Sequence, residues 1–430
     1  MSLKFTSETH FKKTEIGEIP KDWEVKILEK IITEIKKGIK PKKHQTQGKD
    51  LFPYLSAEYL RGETSETTYF PESSGIIVSE KEIIVLWDGS NAGEIFKGLQ
   101  GILSSTMAKL TPNKDTNPLF LFYQLKIRED EFRDTTTGTG IPHVDKQNLL
   151  LKEIIYPSPP EQSRIAKVLS WFDDLIENKK RQNEILEKTA MAIFKSWFID
   201  FEPFSAKGGS ATGRKDSEFV DSELGRIPKG WEVRELRRVV NTQYGLTASS
   251  EDIGDTKLLR ITDINKTFVI DWDNVPYCNI AEDKLLKYEL KDKDIVISRI
   301  ADIGKVAIIE DPPKSVFASY LIRLKPKLNK ITPYYLYYWL KSPSYQEYIE
   351  GAAEGSTRQN TNAEVIKSGP ILIPDEKVIR EFEKIAENIR SKIILNQKQI
   401  MILRKIRDTL LPLLVFGKLR VEEVDDAKIN

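Results

Sequence analysis

Cysteine is almost absent from this 430-residue chain, Cys278 being the single one. An internal disulfide is therefore excluded, and a reducing compartment such as the cytoplasm is expected. Histidine is nearly as scarce: His10, His44 and His143 cannot supply the His/Cys spacings of a zinc site. No apolar run reaches the roughly 18 residues of a membrane span. The N-terminal MSLKFTSETHFKK lacks the apolar centre of a signal peptide, so no membrane association is expected. Neither sign of charge dominates: 66 Lys and Arg stand against 65 Asp and Glu. Any contact with nucleic acid must then come from local segregation of charge.

Catalytic patterns are missing as well. There is no GxxxxGK[ST] loop for a nucleotide phosphate. Gly138-Thr139-Gly140 is not a dinucleotide fingerprint, and the Asn-Pro-Pro-Tyr type of tetrapeptide used by amino-methyltransferases does not occur. Pro374-Asp375-Glu376-Lys377 superficially matches a nuclease signature, but its carboxylates suit a helix N-terminus better. A non-catalytic chain without a cofactor is expected.

What is present is duplication. Thr14-Glu15-Ile16-Gly17-Glu18-Ile19-Pro20-Lys21-Asp22-Trp23-Glu24-Val25 returns 208 residues later as Ser222-Glu223-Leu224-Gly225-Arg226-Ile227-Pro228-Lys229-Gly230-Trp231-Glu232-Val233. Gly and Pro set a turn, and the Trp anchors the next strand to a core. The strand Glu82–Trp87 answers Asp294–Arg299, and Ser105–Pro112 answers Ser319–Pro326. Asn117-Pro118 opens the helical LFLFYQLK as Thr332-Pro333 opens YYLYYWLK, each a cap residue before a first-turn Pro. A short helix and a strand follow in each half, ending at Pro157 and Pro374.

Each half then runs into a long helix. Ser158-Pro159-Pro160-Glu161 has the form of a capping box, and the next Pro is Pro203. Apolar residues at Ile165, Leu169, Phe172, Ile176, Leu186, Ala190, Ile193 and Trp197 alternate in steps of four and three, with Lys179 and Asn183 interrupting. The same stripe recurs 217 residues on, at Phe382, Ala386, Ile389, Ile393, Asn396, Ile400, Leu403, Arg407, Leu410 and Leu414. Such helices, about 60 Å long, need a partner, and the two match each other. In an antiparallel pair Asn183 can face Asn396, a buried polar contact that fixes register.

The loops carry the candidate binding residues. Lys36 to Lys43 holds five lysines, and Lys37, Lys40, Lys42 and Lys43 with His44 form a loop suited to phosphates. In the first half Trp87, Ser90, Asn91, Thr137 and His143 follow strands. The second-half counterparts are Arg260, Thr262, Arg299, Arg358, Gln359 and Asn360. Arg can read guanine bidentately, and Asn or Gln can read adenine.

The repeated TEIGEIPKDWEV and SELGRIPKGWEV, with YPSPPEQSRIAKVLSWFDDLIE and IFKSWFIDFEP, resemble the specificity subunit of a type I restriction-modification system. In the second half ILIPDEKVIREFEKI replaces the usual Pro-Pro-x-x-Glu-Gln pattern. The resemblance implies a duplicated α/β (α+β) fold with pseudo-twofold symmetry, in which two target-recognition domains are separated by an antiparallel coiled coil. Its boundaries would be a first recognition domain over 1–157, a helix over 158–200, a linker over 201–221, a second recognition domain over 222–374, a helix over 375–420 and a tail over 421–430. It further implies double-stranded DNA as ligand, read as a bipartite sequence, and two DNA-methyltransferase subunits and translocase/nuclease subunits as partners. The rival reading is a duplicated protein-interaction scaffold that does not bind DNA.

Overall fold

The computed structural model describes residues 2–41, 51–62, 64, 67–80, 82–133, 136–137, 142–204, 219–265, 267–354 and 361–424. The chain divides into two compact units, residues 1–176 with 402–430, and residues 177–401. Each is built on the same plan.

In the first unit the strands Ile95–Lys97, Ile83–Leu86, Met107–Pro112 and Ile32–Lys37 lie side by side in that order, all antiparallel. Ile83-Ile84-Val85-Leu86 is buried along its whole length, because both faces of the sheet are covered. Period-two alternation sends Ile83 and Val85 into one core, with Phe120 and Leu121 of the helix Pro118–Ile127. Ile84 and Leu86 point into a smaller core with Leu55 and Leu103. Those two belong to a second sheet, in which Leu51–Leu55 runs parallel to Gly101–Leu103.

The second unit repeats the order. Val240–Tyr244, Leu321–Pro326, Ile295–Ser298 and Val306–Ile308 form its antiparallel sheet. Thr256–Leu259 runs parallel to Ser315–Phe317 in its second sheet. The aromatic helix Pro333–Lys341 buries seven consecutive side chains, Tyr334 to Leu340. Thr332 makes no side-chain cap. The Glu383 carboxylate instead accepts from Tyr334 N at 3.4 Å and Tyr335 N at 3.3 Å. In the first unit Asn117 caps as its sequence predicts, accepting from Leu119 N and Phe120 N.

The long helices span Pro159–Phe198 and Glu376–Val415. Ile165, Leu169, Ile176 and Asn183 are buried on the first, and Ile393, Asn396 and Ile400 on the second. Phe172, Leu186, Ile193, Ile389, Leu403 and Leu410 are half-buried. Within the second unit Asn396 Nδ2 donates to Asn183 Oδ1 at 2.9 Å, and Lys179 Nζ donates to Asn396 Oδ1 at 3.4 Å. Contacts advance along one helix as they retreat along the other: Lys179 meets Asn396, Glu187 meets Arg390, and Phe198 meets Phe382. The segments are thus antiparallel. In the first unit Arg407 Nη1 reaches Asp173 at 2.8 Å, and Asp173 also accepts from the Tyr123 hydroxyl at 2.5 Å.

Several expectations change. Glu161 does not return to Ser158. Its buried carboxylate accepts from Trp23 Nε1 at 3.0 Å and from Arg420 Nε at 2.5 Å, because a tertiary partner outweighs a local cap. The second long helix runs through Pro412 and stops at Val415 rather than 420, and Gly417 (φ +68°) turns the chain away. A Cβ at Gly417 would meet Pro20 at 2.4 Å. Residues 421–424 are then no tail: Leu419–Val424 pairs antiparallel with Ser2–Ser7. The linker is also shorter than 201–221, since Phe219–Ser222 forms a hairpin with Gly225–Pro228.

Candidate nucleic-acid interface

In the first unit the candidate residues gather at one end of the four-stranded sheet. Lys36 and Lys37 close the strand Ile32–Lys37 instead of sitting in a loop. Gly38 follows, packed so closely that a Cβ would lie 2.1 Å from Ser104 O. Lys37 Nζ forms an ion pair with Asp88 at 2.7 Å. Asp88 stands directly after Trp87, at the end of the neighbouring buried strand, and bridges His143. Trp87 N and Asp88 N both donate to Thr106 O, at 2.8 and 3.1 Å. Gly89 N donates to Pro142 O, Val144 N to Trp87 O, and Thr137 pairs with His143. Ser90 and Asn91 are exposed on the adjoining turn, as are His143 and Lys40. Lys42, Lys43 and His44 lie outside the described residues.

The second unit presents the same end with other side chains. Tyr244 pairs with Ile322 as Lys37 pairs with Ala108, so the two occupy one framework position. Gly245 follows Tyr244, and a Cβ there would lie 2.1 Å from Ala318 O, as at Gly38. Arg299 takes the place of Trp87, its N–H donating to Tyr320 O at 3.0 Å. The Arg299 guanidinium lies over the Tyr244 ring at 5.4 Å. Cation and aromatic have exchanged positions between the two units. The Asp263 carboxylate caps the short helix Ile261–Asp263, accepting from the Arg260 N–H, Nε and Nη2 at 2.8, 3.1 and 3.0 Å. Thr262 is exposed on that helix. Asn265 Nδ2 joins this segment to Asp302, in the turn after Arg299, at 2.6 Å. Arg358, Gln359 and Asn360 lie outside the described residues, but Thr361 N, which follows them, donates to Arg299 O at 2.8 Å.

The sequence does not single out Thr106, Tyr244 or Tyr320 as binding residues, although the repeat of Ser105–Pro112 in Ser319–Pro326 aligns Thr106 with Tyr320. The strand register sets Lys37 and Tyr244 at one framework position, and the matching bonds of Thr106 O to Trp87 N–H and of Tyr320 O to Arg299 N–H place these residues in one constellation. Among the described residues no group of three or more His, Cys, Asp or Glu could hold a metal ion. Among them, too, no helix is long and apolar enough to cross a membrane.

A profile of the family described as Type I restriction modification DNA specificity domain matches residues 20–188 and 228–403, one match for each half. The chain belongs to the type I restriction-modification specificity family. It is 34% identical over 445 residues to the type I restriction enzyme MjaIX specificity subunit of Methanocaldococcus jannaschii, covering 98% of this chain and 99% of that one. It is also 34% identical over 444 residues to the MjaVIII specificity subunit of the same organism, with the same coverage. A crystal structure of the type I restriction-modification S subunit from M. genitalium matches with a TM-score of 0.55 at 18% identity, covering 91% of this chain and 96% of that one. That likeness is one of fold. This specificity protein accordingly has the duplicated α/β architecture with two long helices that its sequence predicts.

Proposed function

We propose that this chain is the non-catalytic DNA-reading subunit of a type I restriction-modification complex. Each unit contacts one half of a bipartite duplex target. The long helices scaffold two methyltransferase subunits, and translocase/nuclease subunits join the full complex. The observation that carries this reading is one framework holding two different sets of side chains at the same sheet end. Lys37, Trp87, Thr106 and His143 stand in the first unit, and Tyr244, Arg299 and Tyr320 in the second. Framework contacts position a protein on DNA, whereas side chains at base edges specify sequence. Two different sets therefore select two different half-sites. The boundaries 1–157 and 222–374 enclose these sets and serve as the recognition domains.

The experiment is reconstitution with methyltransferase subunits, followed by selection of methylated sites from random duplexes. A bipartite motif with two unlike halves is the expected result. Methylation without sequence preference, or methyl transfer by the purified chain alone, would overturn the reading. Tight binding to a protein partner with no contribution to DNA selection would favour the scaffold instead.

A further inference from the structure

The second unit carries a side chain at its sheet end that its fold does not need. Tyr320 lies in the turn between the strands Ser315–Phe317 and Leu321–Pro326. Phe317 and Leu321 on either side are fully buried, whereas Tyr320 is 54% exposed. A single exposed aromatic is ordinary on a protein surface. The surroundings of this one are not ordinary.

Arg299 holds the turn at two points and is itself anchored at two more. Its backbone N–H donates to Tyr320 O at 3.0 Å, and its Nη1 to Ser319 O at 3.4 Å. Its Nε donates to Thr361 O at 3.3 Å, and its guanidinium covers the Tyr244 ring. A bidentate grip on guanine needs two neighbouring N–H groups of the guanidinium in one plane. Here Nε and Nη1 are both turned toward backbone carbonyls. Arg299 is thus placed to hold the tip in shape. What the tip presents outward is Tyr320.

The equivalent residue of the first unit is Thr106, whose carbonyl serves Trp87 N just as Tyr320 O serves Arg299 N. Its hydroxyl turns back to Ser104 Oγ at 3.1 Å, and Ser104 is held in turn by the Tyr54 hydroxyl at 3.2 Å. One framework position therefore offers a short, inward-bonded hydroxyl in one unit and a projecting ring in the other. A ring on an ordered turn loses little conformational freedom on binding. At base edges its apolar face suits the methyl group of thymine.

We propose that Tyr320 is a specificity-determining residue of the second unit, its ring lying against a thymine methyl of the second half-site, and that Arg299 is its positioning residue. This rests on the DNA-reading function above.

The test uses the full chain reconstituted with methyltransferase subunits. Methylated-site selection with the unaltered complex comes first. Failure to obtain a bipartite motif at that stage refutes the DNA-reading function itself. With the motif in hand, Tyr320→Ala should relax one A·T pair of one half-site by about tenfold and leave the other half-site unchanged. The melting of the chain should not move, because among the described residues only the Tyr320 backbone is bonded within the fold. Replacing that thymine by deoxyuridine should cost the unaltered complex several-fold and cost Tyr320→Ala nothing. Tyr320→Phe should keep the preference. Arg299→Ala should relax the same position, Arg299→Lys less so, and Arg299→Ala should add no further relaxation in the Tyr320→Ala background, since coupled residues are not additive. Retained discrimination in Tyr320→Ala, indifference of the unaltered complex to deoxyuridine, or loss of preference in Tyr320→Phe would each overturn the contact. Additive relaxation in the double variant would overturn the positioning role of Arg299.

Discussion

Replacing Arg390 by Met should strike the second unit harder than any surface change, and the structure says which group suffers. Arg390 is fully buried. Its Nη1 donates to Glu187 at 2.9 Å, its Nε to Glu310 at 3.0 Å, and its Nη2 to Glu310 and to Phe268 O. Glu187 has other partners: Lys341 Nζ at 2.5 Å and the hydroxyls of Tyr337 and Tyr338, each at 3.0 Å. For Glu310 there remains the Tyr334 hydroxyl at 3.1 Å. Arg390→Met therefore orphans the Glu310 carboxylate while Glu187 stays compensated. Removing one partner of a buried ion pair costs about 3–5 kcal/mol. The second unit spans residues 177–401. For a unit of that size each kcal/mol moves the midpoint by about 2–4 °C, so Tm should drop by roughly 10 °C. Thermal unfolding followed by calorimetry is the assay, and the drop should fall on one of two transitions, because the units need not melt together. Arg390→Met/Glu310→Gln should recover more than half of the stability, since the second change removes the unpaired charge. A drop of less than about 2 °C in the single variant, or a double variant as unstable as the single one, would refute this account of the network.

Other outcomes follow from the same network and from the sheet ends. Burial works against the Glu187 carboxylate, but the charges of Lys341 and Arg390 outweigh it and hold it below the ordinary carboxylate range. Its contribution to stability is thus fully present above the unfolded value of about 4.3 and is lost as pH falls through the lower folded value. Acid melting of the second unit should show that limb, and Glu187→Gln should flatten it. Asn396→Leu alone strands the buried Asn183 amide and should cost about 1–3 kcal/mol in urea unfolding, whereas Asn183→Leu/Asn396→Leu should be near neutral but less selective in helix register. Neutralising Lys37, Lys40, Lys42 and Lys43 together should weaken DNA binding by the reconstituted complex irrespective of sequence, with the log–log salt slope falling by about 0.9 for each phosphate that is no longer neutralised. An unchanged slope would mean these lysines serve no phosphate. Arg358→Ala and Asn360→Ala should instead relax one half-site, each by about 1–3 kcal/mol for a bidentate contact, as read by methylated-site selection.

Much of the architecture is carried by local pattern and by repetition. Gly-Pro-Trp spacing at Gly17, Pro20 and Trp23 returns at Gly225, Pro228 and Trp231, and it marks two copies of one module. The four-and-three stripe marks two long helices that need each other, because helix periodicity is written in neighbouring residues. Asn117 capping the helix Pro118–Ile127 is local in the same way. The Asn183–Asn396 contact is legible too, because both interrupt the stripe on the seam. Tertiary structure alone decided where the other polar groups meet. Glu161 looks like part of a cap, yet it serves Trp23, 138 residues away, and Arg420, 259 residues away. Glu187 lies off the apolar stripe, yet Arg390 and the Tyr337 and Tyr338 hydroxyls surround it. Lys37 reads as a phosphate contact, but the strand register brings Asp88 to within 2.7 Å of it. No periodicity records such pairings, because a buried charge is defined by partners that the fold brings from far along the chain. Base-reading candidates share this limit. Sequence marks the loops and aligns Tyr320 with Thr106 through the repeat, whereas only the fold turns Arg299 inward to hold the turn that carries Tyr320.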